Sequence, residues 1–369
     1  MSQRHSLISP LHCLALALLL GGCAPHSSPD LHSAPPLAPP QNPVTPSLST
    51  DDLTSLEQEA KQVLQSLADN REGEVYSGAV EGTDPDDFAI AVALVDGRGF
   101  QVGSATTRFP IMSISKPFTL ALALEQRGPD FIRDHVGVSA TGFPYNDLAA
   151  GSVRRSTEQN PLVNAGAIAT HSYIVGDSPA DKSQAVVQIY SQMADADLAI
   201  QEEWRAIPRA LTYALAYQMQ AADRLEGDVD DVTNRYLEAC IVEVGVSDLA
   251  QMGATLAANG IQPRSGQVVL SPETVREVLS VMTIAGMYED SGTWWTKVGI
   301  PAKSGVSGAI VAVVPGWGSV VVYSPRLDPA GNSVRAALAI EELSTQWNLH
   351  SMTRLLLPGE PREDPELLR

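Results

Sequence analysis

A serine and a lysine three residues apart, Ser113 and Lys116, are the side chains of this sequence best suited to covalent catalysis. They stand at the start of an apolar helical pattern that runs from Ser115 to Gln126. Residues three apart on a helix share a face, so the lysine amine can reach the serine hydroxyl. The positive end of the helix dipole also lowers the pKa of the amine. The spacing therefore predicts a serine nucleophile that is activated by a lysine base.

A second motif supports this interpretation, because serine and lysine are common and their spacing alone is weak evidence. The near match Ser152-Val-Arg-Arg155 shows how easily such spacing arises. Lys303-Ser304-Gly305 stands shortly before a strand pattern that starts at Ala309. In penicillin-recognising enzymes, an S-x-x-K serine faces such a K-[ST]-G strand edge across the active site. The alternative is that these three residues form only a glycine-containing turn into the strand.

Two hairpin patterns enclose a long helical region and indicate the elements that position these motifs. Strands near both ends and a helical middle favour an α+β fold, with an antiparallel sheet formed by both ends of the domain. Helices are predicted from Asp52 and from about Ser333 to Gln346. The four strand patterns, each pair joined by a glycine-containing turn, are Phe88–Val95 with Phe100–Gly103 and Ala309–Val314 with Ser319–Tyr323.

Five segments around these motifs resemble the glutaminases of the β-lactamase-like fold, in the order that this family shows. The resemblance covers roughly residues 52 to 350, and its motifs are specific to glutaminases rather than to β-lactamases. It implies the α+β, β-lactamase-like fold, with a helical subdomain beside the sheet. The segments are Phe109–Leu124, Asn160–Ile168, Ala285–Gly292, Pro301–Val306 and Ser324–Arg335.

The resemblance implies hydrolysis of L-glutamine to L-glutamate and ammonia through an acyl-enzyme on Ser113, with no metal or cofactor. Tyr288 would relay protons to the leaving ammonia. The backbone N–H groups of Ser113 and Val306 would form the oxyanion hole. The remaining substrate-binding candidates are Asn164, Tyr236, Glu203 and Lys303.

Three of these candidates also have a purely structural interpretation. Tyr288, which follows Gly286 and precedes acidic residues, could be an aromatic residue of a surface loop. Tyr236 could be a core residue with its hydroxyl at the rim. Asn164 could cap the helix that follows it.

The sequence departs from the family pattern in the segment that binds the α-amino and α-carboxylate groups of glutamine. Family members carry a Ser-Glu pair there and, seven residues after the glutamate, an Arg-Asn pair. In the corresponding stretch, Glu202 or Glu203 can supply the carboxylate, and the asparagine is replaced by Ala210 or Thr212. A site that lacks a buried polar partner discriminates less well between substrates.

Two further departures keep other functions open beside glutamine hydrolysis. Met112 stands where the family has glutamine before the serine, and Tyr76 lies two positions before the family's tyrosine. One alternative is a related serine hydrolase that acts on another amide, either a β-lactam or one derived from peptidoglycan. The other is a non-catalytic binding protein on the same scaffold.

The N-terminal sequence predicts an exported lipoprotein of the bacterial cell envelope. A short apolar run ends in Leu20-Gly21-Gly22-Cys23, which is typical of a lipoprotein signal peptide over residues 1–22 with lipidation of Cys23; an ordinary secretory signal is the alternative. Residues 23–50 are rich in proline and predict a flexible tether. Residues 51–355 form the predicted catalytic domain, and residues 356–369 are predicted to form a disordered tail. Cys240, the remaining thiol, is expected in the core.

The charge of the chain limits its partners. The net charge of −19 repels phosphate backbones, so no nucleic-acid partner is expected. The expected partners are a small amide substrate, with L-glutamine favoured, and a membrane that holds the lipid anchor. Members of the resembled family commonly associate, which implies a homo-oligomer.

Overall fold

The computed structural model describes residues 49–152, 159–206 and 209–356, which all lie within one compact unit, Val44–Arg369. Its helices are α1 Thr50–Ser66, α2 Ser115–Arg127, α3 Pro129–His135, α4 Asn164–Ser172, α5 Pro179–Ala194, α6 Ala210–Ala221, α7 Val229–Cys240, α8 Val246–Ala257, α9 Pro272–Ala285, α10 Ser291–Lys297, α11 Val334–Gln346 and α12 Ser351–Leu356. Its strands are β1 Glu74–Val75, β2 Ala89–Leu94, β3 Gly99–Gly103, β4 Phe109–Pro110, β5 Glu243–Val244, β6 Ala302–Ser304, β7 Ala309–Val314, β8 Gly318–Tyr323 and β9 Arg326–Leu327.

Five strands form the central antiparallel sheet, in the order β3-β2-β8-β7-β6. The first hairpin joins the second where β2 pairs with β8, with Ala91 opposite Val321. The prediction of one antiparallel sheet formed by both ends of the domain is therefore confirmed. Every residue of β2, β7 and β8 is buried, since helices cover both faces of the sheet. Burial on both faces explains why these strands are unbroken apolar runs.

Alternate residues of the strands pack into two separate cores. Ala91 and Val321 face the larger core, which contains α2 and α8 among other helices. Ile90 and Val322 face the smaller core, to which α1 and α11 contribute. This alternation is the period of two that strand geometry imposes. On the side of the larger core, α8 lies close to the sheet at Gly253, where an added Cβ would be 2.7 Å from the Cβ of Ser319.

The boundaries of the domain differ slightly from the prediction. Helix α1 begins at Thr50 rather than Asp52, because the side chain of Ser49 caps it and Asp52 completes the capping box. Helix α12 extends to Leu356, the first residue of the predicted tail. The predicted signal peptide, Cys23, the tether up to residue 48 and the tail from residue 357 lie outside the described residues. In the part that is described, no helix combines the length and apolar character needed to cross a membrane.

Candidate active site

Ser113 and Lys116 are in direct contact where the chain passes from β4 into α2. Met112–Ile114 form one 3₁₀ turn, and α2 begins at the next residue. Lys116 Nζ donates a hydrogen bond to Ser113 Oγ at 3.0 Å. Met112 has φ +49°, in the left-handed region that residues other than glycine seldom adopt. Backbone conformations of this kind concentrate at functional sites.

The surroundings of Lys116 favour its neutral form. The residue is only 2% exposed, and this burial lowers the pKa of its amine to about 8. Burial also raises the pKa of the neighbouring Cys240 thiol, so that thiol is protonated at neutral pH. A lysine with a pKa near 8 is deprotonated often enough to act as a general base.

Asn164 connects Lys116 with helix α7. Its Oδ1 accepts hydrogen bonds from Lys116 Nζ at 2.6 Å and from Tyr236 Oη at 3.2 Å. The N-cap of α4 is Val163, and no side chain caps that helix. The interpretation of Asn164 as a helix cap is therefore wrong. Burial raises the pKa of Tyr236 well above its ordinary value, so its hydroxyl stays neutral.

Tyr288 lies in a 3₁₀ turn after α9. It is buried, so the interpretation as a surface-loop residue is wrong. Its hydroxyl donates to the carbonyl oxygen of Ser304 at 3.0 Å. Ser113 is near enough to this hydroxyl to favour its ionised form, an effect smaller than that of burial. Burial raises the pKa of the hydroxyl, and Tyr145 packs against its ring with the centroids 4.3 Å apart. Like Met112, Tyr288 has a positive φ, here +54°.

Lys303 is not in the pocket wall but behind Tyr288. Its Nζ is fully buried and donates to the carbonyl oxygens of Gly286 at 3.1 Å and Ser304 at 2.6 Å. It also lies 4.2 Å from the centroid of the Tyr288 ring. Burial and the nearby Lys116 hold its pKa well below the ordinary value. The expectation of a substrate contact for Lys303 is corrected: alternation along β6 turns its side chain to the back of Tyr288.

Ser113 opens into a cavity of about 420 Å³, within the range of small-molecule sites. Of the predicted substrate-binding residues, Asn164, Tyr236 and Val306 line this cavity. Val306 lies two residues after the end of β6 and lines the same cavity as Ser113. The structure thus places Ser113 and Val306 in the wall of one cavity, with Lys116 in contact with Ser113.

Glu203 does not line the cavity. It is exposed on the 3₁₀ turn Glu202–Ala206, and the residues of that turn that reach the wall are Trp204 and Arg205. Arg205 forms an ion pair with Glu202, which is also on the outer side. The expectation that Glu203 binds substrate is therefore corrected, since the direction of a short 3₁₀ turn does not follow from sequence spacing.

Several residues of the wall were not among the sequence-based candidates. Tyr76 lines the cavity although it lies two positions from the family's tyrosine. Cys240, expected in the core, is half-buried and also lines the cavity. Most of the others lie in loops or at the start of α6, so no periodic pattern marks them. The others are Met112, Tyr145, Asn146, Trp204, Arg205, Arg209, Ala210, Leu211, Thr212, Leu237 and Ile241.

Comparisons with known proteins show the family to which this chain belongs. A sequence model of the family described as Glutaminase matches residues 74–352. The glutaminase of Colwellia psychrerythraea is 42% identical over 272 residues, which cover 73% of this chain and 88% of the relative. The glutaminase of Brucella canis is 41% identical over 256 residues, 69% of this chain and 81% of the relative.

Solved structures give the same result. The structure titled probable glutaminase ybaS has a TM-score of 0.78 at 33% identity and covers 82% of this chain and 99% of its own. The native form of Mglu has a TM-score of 0.74 at 35% identity, covering 82% and 74% of the two chains. The predicted β-lactamase-like fold is confirmed. By sequence and by structure, this chain belongs to the glutaminase family.

Proposed function

We propose that this protein hydrolyses the side-chain amide of L-glutamine to L-glutamate and ammonia, with Ser113 as nucleophile. The observation that carries the proposal is the 3.0 Å contact between Ser113 Oγ and the buried Lys116 amine at a cavity of substrate size. Family membership supplies the substrate. Every catalytic step can be assigned to side chains and backbone groups around Ser113.

In the acylation step, neutral Lys116 takes the proton of Ser113 Oγ while this oxygen attacks the amide carbon. The backbone N–H groups of Ser113 and Val306 donate to the oxygen that becomes negative. The carbon–nitrogen bond then breaks as the nitrogen receives a proton from the Tyr288 hydroxyl. Ammonia leaves, and the proton held by Lys116 returns to Tyr288, so that both side chains regain their starting protonation states.

In the deacylation step, water attacks the ester carbon and the same groups act in reverse. The water gives its proton to the base, the ester bond to Ser113 Oγ breaks, and that oxygen regains a proton. Glutamate then leaves. Asn164 is held by Lys116 and Tyr236 through its oxygen, which keeps its amide N–H₂ group for the substrate.

Ammonia release with wild type and Ser113→Ala tests this proposal. We expect the variant to lose at least about 10³-fold in kcat, because it has no nucleophile. Ser280→Ala, an exposed serine on α9, is the matched control and keeps full activity. Equal ammonia release by Ser113→Ala and wild type, with both proteins folded, would rule the mechanism out.

We also propose that lipidated Cys23 anchors the protein in the cell envelope and that the protein forms a homo-oligomer. The support is the lipobox-like end of the N-terminal apolar run and membership of the glutaminase family. Cys23→Ser should move the protein from the membrane fraction to the soluble fraction. Light scattering of the purified protein should give a mass above that of one chain.

A further inference from the structure

The charge of the cavity wall is unusual for this protein. The chain carries a net charge of −19, yet the charged side chains among the described lining residues are Arg205 and Arg209. Four other groups of the wall could in principle be anionic, namely Tyr76, Tyr145, Tyr236 and Cys240. Burial raises the pKa of each of them, so all four are neutral at pH 7. The described wall therefore offers positive charge and no negative charge.

The two arginines differ in their ion pairs with carboxylates. Arg205 is paired with two carboxylates, Glu202 and Glu238, the latter at 3.0 Å. Arg209 has no carboxylate within ion-pair distance among the described residues, and its Nη2 donates to the backbone carbonyl of Arg205. Within the described ranges, no hydrogen bond joins its other donors to a protein acceptor. A guanidinium with free donors is the side chain that binds a carboxylate best, since it can form two parallel hydrogen bonds.

The start of α6 adds to this preference for an anion. Arg209 is the N-cap of the helix, and no side chain caps the first turn. Ala210, Leu211 and Thr212 of that turn line the same cavity. Free N–H groups and the helix dipole favour negative charge at such a position.

A glutamine zwitterion brings a carboxylate and an ammonium group to this wall. The carboxylate matches Arg209. For the ammonium, the described part of the wall offers neutral oxygens, for example those of Tyr76, Tyr145 and Asn146, so its desolvation is not offset by an ionic partner there. Removing or acylating the α-amino group removes that cost.

We infer that Arg209 binds the α-carboxylate of the substrate and that the α-amino group is not selected, so that the substrate class includes glutaramate and N-acylated glutamine. The inference rests on the proposed amide hydrolysis and extends it from one amino acid to anionic five-carbon ω-amides. Arg209 is thus a specificity-determining residue for the reaction at Ser113.

A panel of four amides tests this inference by kcat/KM: L-glutamine, glutaramate, N-acetyl-L-glutamine and L-glutamine with its α-carboxylate converted to an amide. We expect glutaramate and N-acetyl-L-glutamine to equal or exceed L-glutamine, and in no case to fall more than about threefold below it. The fourth should be at least about tenfold worse, because a hydrogen-bonded charge contributes about 1.5–3 kcal/mol. A loss of about tenfold or more with glutaramate would overturn the inference.

Variants of Arg209 test the residue itself. Arg209→Gln should raise KM for the three amides that carry a carboxylate by about tenfold or more while kcat changes little, and Arg209→Lys should lie in between. The rise in KM should be smaller for the fourth amide, which has no α-carboxylate for Arg209 to bind. Arg276→Gln, an exposed arginine on α9, is the matched control. An unchanged KM in Arg209→Gln would overturn the assignment.

A binding measurement separates this inference from the proposed reaction. In the Ser113→Ala background, calorimetry should show glutarate and L-glutamate binding within about threefold of each other, and Arg209→Gln should weaken both by about tenfold. If binding follows this pattern but the wild type hydrolyses no amide, only the proposed reaction is rejected. Normal glutamine hydrolysis with binding that does not depend on Arg209 would reject only the inference.

Glu289 tests whether a nearby carboxylate binds the α-amino group after all. It is exposed and accepts a hydrogen bond from the Tyr145 N–H at 3.3 Å. If Glu289→Gln weakened the binding of L-glutamate but not that of glutarate, the inference would be rejected.

Discussion

The protonation state of Lys116 links the geometry of the site to a measurable pH dependence. Its pKa is lowered to about 8 by burial, and only the neutral amine can take a proton from Ser113. Activity is therefore present above this pKa and is lost as the pH falls through it. Burial matters for this role, because a lysine side chain in water is protonated at any physiological pH.

We expect kcat/KM for glutamine to rise with pH and to reach a plateau above about pH 8, which is the pKa that burial gives Lys116. Lys116→Met should remove the activity and, with it, the rise of kcat/KM towards pH 8. The measurement is a pH profile of kcat/KM between pH 5 and 10. A profile that is flat from pH 6 to 9 would show that Lys116 is not the base.

Tyr288 and Lys303 act together in this account, as a proton donor and the residue that positions it. Tyr288→Phe should lower kcat by about 10²–10⁴-fold with a small change in KM, because the ring stays and the proton donor is lost. Lys303→Met should also lower kcat, and adding it to Tyr288→Phe should cost little more. Fully additive losses in this double-mutant cycle would mean that Lys303 does not act through Tyr288.

Two glycines near Tyr288 allow the packing between elements to be tested. An added Cβ at Gly286 would lie 1.8 Å from the carbonyl oxygen of Ala302 on β6, and the carbonyl of Gly286 itself accepts from Lys303. Gly292 on α10 has no atom within 4 Å of an added Cβ. The end of α9 can therefore approach β6 only without a side chain, whereas α10 has room.

We expect Gly286→Ala to lower the free energy of unfolding by about 1–3 kcal/mol, as overpacked sites do, and to lower kcat because the turn of Tyr288 shifts. Gly292→Ala should leave stability unchanged or raise it by about 1 kcal/mol, since alanine favours a helix. Urea unfolding of both variants is the measurement. Equal stability of the two would contradict the close packing of α9 on β6.

The elements were more predictable from sequence than the wall of the site. The hairpins β2–β3 and β7–β8 follow from long apolar runs and glycine turns, and α2 from its apolar pattern up to Gly128. Ser113 and Lys116 were predictable because their spacing is fixed by one helix turn. Glu203 and Lys303 were placed wrongly, because neither the direction of a short turn nor the buried side of β6 follows from residue type. Arg209 was missed because loop residues carry no periodic signal.

At the scale of the whole molecule, every described helix and strand belongs to the unit that begins at Val44. The cores on both faces of the sheet are built from residues between Ala60 and Leu349. The catalytic domain should therefore fold without the predicted signal peptide and most of the tether.

A chain that begins at Val44 should keep its melting temperature within about 2 °C, a shift that corresponds to less than about 1 kcal/mol in a protein of this size. Its kcat on glutamine should stay within about twofold of a chain that begins at Cys23. Thermal unfolding and ammonia release are the measurements. A large drop in both would show that the N-terminal segment stabilises the catalytic domain.

The covalent intermediate on Ser113 tests the central claim most directly. Wild type mixed with glutamine, quenched in acid within its first turnovers and digested for mass spectrometry, should carry a glutamyl group on the peptide that contains Ser113. Lys116→Met and Ser113→Ala should show no such adduct. Rapid ammonia release with no adduct on Ser113, or an adduct on Cys240 instead, would contradict the account.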